Sequence, residues 1–343
     1  MMCRKTAAAL CLALWPLAAA AAGGDDLDLV AKAVDVQILP GYQTLAAAAA
    51  ELDAAAAEDC DPEGETLRDA YNSAFDAWIG VSHLRFGPSE MDNRAFALAF
   101  WPDDRGASRK TLAGVIREED PMVDDAESFG NVSIAARGFF ALEMMLYDGS
   151  LSEADPGYSC RLVRAITRDI ATTAAAIEAD WDPAYAELIL HPGPENPIYL
   201  SDLEALQELY KALMTGLEFT ADSRLGRPLG TFEKPRPKRA EAWRSGRSLR
   251  NVQISIAATS ALAEILASDV PEETRAPLNV AIERAGRLAG RLNDPVFTGV
   301  ETPTGRLRIE VLQQAVNDVR DASQAVIGPA LGVSQGFNSL DGD

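Results

Sequence analysis

Glu143 stands inside the nearly unbroken apolar run "ARGFFALEMMLYDG", residues 136–149. On a helix its neighbours three and four positions away are Phe139, Phe140, Leu146 and Tyr147. No solvent-facing stripe is left for a charge there. A carboxylate so placed must find a partner, bind something, or keep its proton. Other reactive side chains narrow the choice. The chain has only two histidines, His83 and His191. It carries no His-Glu-x-x-His zinc motif, no Gly-rich phosphate loop and no haem-attachment Cys-x-x-Cys-His. No serine stands in a nucleophile-elbow pattern, so Ser-His-Asp hydrolysis is not expected.

Partners for Glu143 come from two segments that echo each other, "AWIGVSHLR" (77–85) and "AWRSGRSLR" (242–250). Both read as parts of helices. The echo is either chance or the trace of a duplication into two helical halves. If both segments converge on the helix of Glu143, then Arg85, Arg247 or Arg250 pairs with the carboxylate through a charge-assisted fork. Ser245 adds a hydroxyl. The expected binding set is therefore Glu143, Phe140, Arg85, Ser245, Arg247 and Arg250. His83 competes as a second ligand beside Glu143 for a metal ion, against its reading as an ordinary helix residue. The aromatic loop with Phe96, Phe100, Trp101 and Asp103 reads either as a core anchor or as a pocket wall.

The elements that must position these residues are helical. Alanine and leucine recur at helical spacing and strand-like alternation is scarce, so the fold class is all-α. Helices are expected over 28–58 with a bend at Pro40-Gly41, then 64–86, 107–117, 131–148, 156–179 and 201–221. Ser201 and Glu204 form a capping box for the last of these. The Pro/Gly-rich stretch "RLGRPLGTFEKPRPKRAEAW" reads as a linker. Its "KPRPKR" cluster is read as solvated, or as a docking point. A basic helix is expected from Arg239 to 267, followed by helices over 272–292 and 305–326.

The start of the chain reads as a secretory signal peptide over 1–23, with Arg4 and Lys5 before an apolar stretch and a small-residue exit. The remaining division is an N-terminal half over 24–222, then a linker and C-terminal half over 223–343. No later segment is long and apolar enough to cross a membrane. The formal net charge of −21 repels nucleic acid and anionic lipid. Cys60 and Cys160 form either a disulfide, favoured by an oxidising compartment, or two independent thiols.

Several pieces in order resemble the imelysin family, also called M75 peptidase-like proteins. They are "RFGP" (85–88), "FWPD" (100–103), "GFFALEMMLYDG" (138–149), "EAWRSGRSLRN" (241–251) and the terminal "GFNSLDGD". The resemblance implies two helical-bundle halves related by pseudo-symmetry, with a site between them. It also implies an exported bacterial protein tied to iron supply, in the periplasm or cell envelope of a Gram-negative organism. The family motif Gly-x-His-x-x-Glu implies iron or another divalent metal. Gly138 and Glu143 match it, but Phe140 holds the histidine position and has no lone pair to donate. The expected function is a non-catalytic binding component for iron or an iron chelate, with envelope uptake proteins as partners. The alternatives are a metallopeptidase and an envelope interaction module.

Overall fold

The computed structural model describes residues 25–151 and 155–334. The expected signal peptide and the terminal "GFNSLDGD" lie outside the described residues. Within them the chain is helical with no strand. The first helices are α1 (Asp25–Ala33), α2 (Leu39–Glu58), α3 (Glu65–Val81), the short α4 (Arg94–Leu98) and α5 (Ala107–Glu118). Next come α6 (Ala126–Gly130), α7 (Gly138–Tyr147), α8 (Pro156–Asp180) and α9 (Ala186–Leu190). The remainder are α10 (Asp202–Glu218), α11 (Gly226–Leu229), α12 (Ser248–Leu266), α13 (Glu272–Arg291) and α14 (Pro303–Leu331).

The helices gather into two bundles. In the first, α2 packs on α3 and α8, and α7 packs on α3, α5 and α8. Helix α2 buries Tyr42, Leu45, Ala46, Ala49, Leu52 and Ala56, a spacing of three and four that presents one apolar stripe. Burying a leucine such as Leu52 stabilises by about 2 kcal/mol. The second bundle joins α10, α12, α13 and α14. Helix α10 therefore packs with α12 and α14, although it precedes the expected boundary at 222–223. Contacts of α3 with α12, and of α1 with α10 and α12, join the bundles.

Local chemistry sets the helix ends. Asp155 caps α8 by accepting from the Tyr158 N–H at 2.8 Å, with Pro156 in the first turn. Ser201 caps α10 by accepting from the Glu204 N–H. Glu204 in return accepts from the Leu200 N–H, one residue before the cap. Pro40-Gly41, where a bend is expected, lies in the first turn of α2, and a π-helical stretch over Val34–Ile38 precedes it. Cys60 and Cys160 are bonded across a separation of 100 residues. Such a cross-link stabilises by about 4–5 kcal/mol in the chain-entropy model.

Two helix starts differ from expectation, and both bear on the site. Helix α7 begins at Gly138, not near 131, because Gly138 has φ +72° and breaks the run. A β-carbon there would lie 2.2 Å from the Ala97 carbonyl oxygen and 2.3 Å from that of Leu98. Only glycine allows this approach. Helix α12 begins at Ser248, not Arg239. Residues 241–246 form a turn with Ala242 at φ +47° and Gly246 at φ +77°, and the Ala242 carbonyl accepts from the Arg247 N–H at 3.1 Å. The two echoing segments thus have different backbones. The first closes α3 and the second is largely turn before α12.

Candidate functional site

Every residue of α7 from Gly138 to Leu146 is buried, Glu143 included. The apolar run needs no solvent face because α3, α5 and α8 surround it. Phe139 stacks on Phe75 at 4.7 Å, and Phe140 meets the same ring edge-on at 5.4 Å. Glu143 is reached from the far side by the turn before α12. Its Oε1 accepts from the Ser245 N–H at 2.9 Å and from the Ser245 hydroxyl at 2.8 Å. Burial raises the Glu143 carboxyl above the usual glutamate range, and the Ser245 donors and the Arg244 charge offset this only in part. Burial also pushes the Tyr71 hydroxyl up, with the Glu143 charge adding to it. That hydroxyl has no hydrogen-bond partner among the described residues.

The expected arginine pair for Glu143 is therefore corrected. Arg85 turns to Glu90, its Nε donating at 2.5 Å, and lies 4.8 Å over the Phe96 ring. Arg247 and Arg250 both bind Asp76 of α3. Arg247 also donates to the Asn72 side-chain oxygen at 2.9 Å. These two arginines join the bundles instead of serving Glu143. The physical reason is the turn: residues 242–246 leave the helical path, so the backbone and hydroxyl of Ser245 reach the carboxylate first. Of the expected set, Glu143, Phe140 and Ser245 come together.

His83 lies against another group. A β-carbon on Gly216 would stand 2.6 Å from the His83 β-carbon, so the ring abuts α10. Gln37 Nε2 is 3.4 Å from His83 Nε2, while Nδ1 has no protein partner. Burial, with the Arg224 charge second, lowers its pKa to about 3. It is a buried neutral imidazole beside a cation. His191 is exposed in its loop and pairs with Glu187 at 3.3 Å.

A cleft of about 320 Å³ opens beside Glu143 and Phe140. One wall is the loop Phe100, Trp101, Asp103 and Asp104, and the other is the segment Lys238 to Arg244. The aromatic loop thus serves both readings: Trp101 packs near Phe140 at 6.3 Å and lines the cleft. Arg109 of α5 and Arg227 of α11 complete the rim. Arg244 and Lys238 flank the Trp243 ring at 4.7 and 5.4 Å. Sequence reasoning did not place Arg109, Arg227, Trp243 or Arg244 in a site, and read Lys238 and Arg239 as linker. The signal was the glycine in "WRSGR": a glycine that permits positive φ marks a turn there.

The donor set around Glu143 does not suit a resident metal ion. Its near neighbours are the Ser245 donors and cationic Arg244, and the motif's histidine position is the Phe140 ring. Among the described residues no group of three or more His, Cys, Asp or Glu side chains gathers to hold a metal. No helix among them is long and apolar enough to cross a membrane.

The comparisons with known proteins agree with this architecture. Residues 38–323 match the imelysin (peptidase M75) family model. An imelysin-like protein from Psychrobacter arcticum 273-4 has a similar solved structure, with TM-score 0.75, 20% identity, and 91% of this chain and 97% of that one covered. A "putative iron-regulated protein A precursor" from Parabacteroides distasonis ATCC 8503 gives TM-score 0.71 at 15% identity, covering 89% and 95% of the two chains. No curated protein matches.

Proposed function

This chain belongs to the imelysin family, and from that premise we propose that it is an exported, non-catalytic binding component of iron uptake. It works through the cleft where the first bundle meets the turn before α12. The observation that carries this reading is Glu143, a buried carboxylate held from across the cleft by Ser245 and lining the cavity. A structure that needed no ligand there has no reason to keep a half-satisfied carboxylate beside a cavity rather than an apolar side chain. Two further facts favour the setting. The Cys60–Cys160 bond suits an oxidising compartment, and one structural neighbour bears an iron-regulated name.

The peptidase alternative is weaker on chemical grounds. An ion that activates water needs about three protein ligands. Around Glu143 the chain offers N–H, hydroxyl and guanidinium groups instead. Iron would therefore arrive already chelated, its coordination shell supplied by the ligand. The test is binding of ferric ion and ferric chelates to purified protein, followed by tryptophan fluorescence from Trp101 and Trp243. Chelate should quench the wild type and not Glu143→Ala, with helicity by circular dichroism unchanged. Chelator-sensitive cleavage of peptides, or one tightly held ion per chain that Glu143→Ala abolishes, would overturn the reading.

A further inference from the structure

We infer that the cleft takes its ligand as an anion, a small polycarboxylate, either alone or as the shell of a metal chelate. This rests on the reading of the cleft as a binding site and names the ligand class that site would select. The first observation is a local reversal of charge. The chain as a whole carries −21, yet the cleft is lined by five cations, Arg109, Arg227, Lys238, Arg239 and Arg244, against three carboxylates, Asp103, Asp104 and Glu143.

The second observation is that the carboxylates are already engaged. Asp103 accepts from the Ala107 and Ser108 N–H groups, each at 2.8 Å, at the start of α5. Asp104 pairs with Arg227. Glu143 takes both Ser245 donors. Outside the lining, Asp148 is shared between Arg109 at 2.7 Å and Arg244 at 3.4 Å, so one negative charge serves two guanidinium groups. Lys238 lies over Trp243, and the side chains of Lys238 and Arg239 have no carboxylate partner among the described residues. Unspent positive charge therefore faces the cavity.

The third observation is how the cations are spread. They come from α5, from α11 and from the segment before α12, on both sides of the opening. A single compact oxyanion meets two such cations, as the Asp148 carboxylate does with Arg109 and Arg244, but cannot engage cations of all three elements at once. A body bearing several separated carboxylates can, and guanidinium forks match carboxylate geometry. The Trp101, Trp243 and Phe140 rings supply apolar walls for the carbon frame between those carboxylates. A volume of about 320 Å³ suits a small ligand.

The test is calorimetric titration of the full chain at low salt with citrate, ferric citrate, inorganic phosphate and ferric ion in a weak buffer complex. Wild type should bind citrate and ferric citrate and leave phosphate at least tenfold weaker. The exposed pair Lys238→Glu/Arg239→Glu should lose at least tenfold for both citrate forms. Lys234→Glu, in the same basic stretch but outside the lining, should stay within about threefold. Phosphate binding as tightly as citrate would overturn the polycarboxylate assignment. Ferric citrate bound through Glu143, indifferent to the double reversal and without binding of citrate alone, would overturn the inference while leaving the uptake reading standing. Failure of every probe would overturn both.

Discussion

Glu241 and Glu143 are two buried carboxylates at the seam between the bundles, and their surroundings differ. Glu241 accepts from Arg224 Nε at 2.7 Å and from Asn251 Nδ2 at 3.0 Å. Arg224 is itself held by the Ser255 hydroxyl at 3.0 Å and by Ser82 from the end of α3. That network is closed and buried, with both charges matched. Glu143 has no cation in direct contact. It takes two donors from one residue, and its other boundary is the cleft. The contrast separates two uses of burial. A matched pair inside a closed network fixes how elements pack, whereas an unmatched carboxylate at a cavity leaves an acceptor facing the cleft.

That contrast can be broken by mutation, and the largest effect should fall on the closed network. Arg224→Ala leaves Glu241 buried without its cation and should cost about 3–5 kcal/mol in denaturant unfolding. A loss below about 1 kcal/mol would mean that the seam tolerates an orphaned charge and that the two sites are not different in kind.

The next effect is pH dependence from His83, which abuts the same network. Its folded pKa of about 3 lies below the ordinary histidine value of 6.5, so the unfolded chain binds the extra proton first. Stability is full above the unfolded value and falls as pH drops from 6.5 toward 3. The slope is about 1.4 kcal/mol per pH unit for one proton. His83→Asn should remove that one-proton component from the acid limb of a stability–pH profile. An unchanged slope would show that His83 is not held neutral.

Smaller effects should mark the cleft. Ser245→Ala removes one hydroxyl donor but keeps the backbone N–H, and should cost about 1 kcal/mol. Glu143→Gln should change stability least, by under about 1 kcal/mol at neutral pH, because the amide keeps an oxygen that accepts from the Ser245 N–H and hydroxyl. The sign is opposite to that of His83. Glu143 holds its proton more tightly when folded, so wild type loses stability relative to Glu143→Gln as pH rises from 4.5, the ordinary glutamate value, through the elevated folded value. A Glu143→Gln variant that is much less stable at neutral pH would place Glu143 in the same class as Glu241.

The helical architecture was legible because apolar spacing and breakers act locally. The stripe of α2 and the cap at Ser201 are written in short windows of sequence, whereas α3 stops at Val81, short of the expected 86. The oddity of Glu143 was legible for the same reason, since its helical neighbours are all apolar. Its partner was not. Residues 239–247 have helix-forming composition, and only tertiary contacts turn them into a loop: Glu241 drawn to Arg224, and Ser245 drawn to Glu143. Of the arginines assigned from the two echoing segments, Arg247 and Arg250 went to Asp76, a residue with no distinguishing mark in sequence, and Arg85 went to Glu90. The basic rim was hidden because its members lie on three separate elements that meet only in the fold.

Gly138 holds the carbonyls of Ala97 and Leu98 against the first turn of α7, and this fixes more than a helix start. Phe100 and Trp101 follow those carbonyls by two and three residues, and Glu143 follows the glycine by five. The indole and the carboxylate are thereby mounted on one stiff bracket, their spacing set when the chain folds. The other lip, Lys238 to Arg244, is not tied to that bracket by the glycine, and its backbone turns through the positive φ of Ala242.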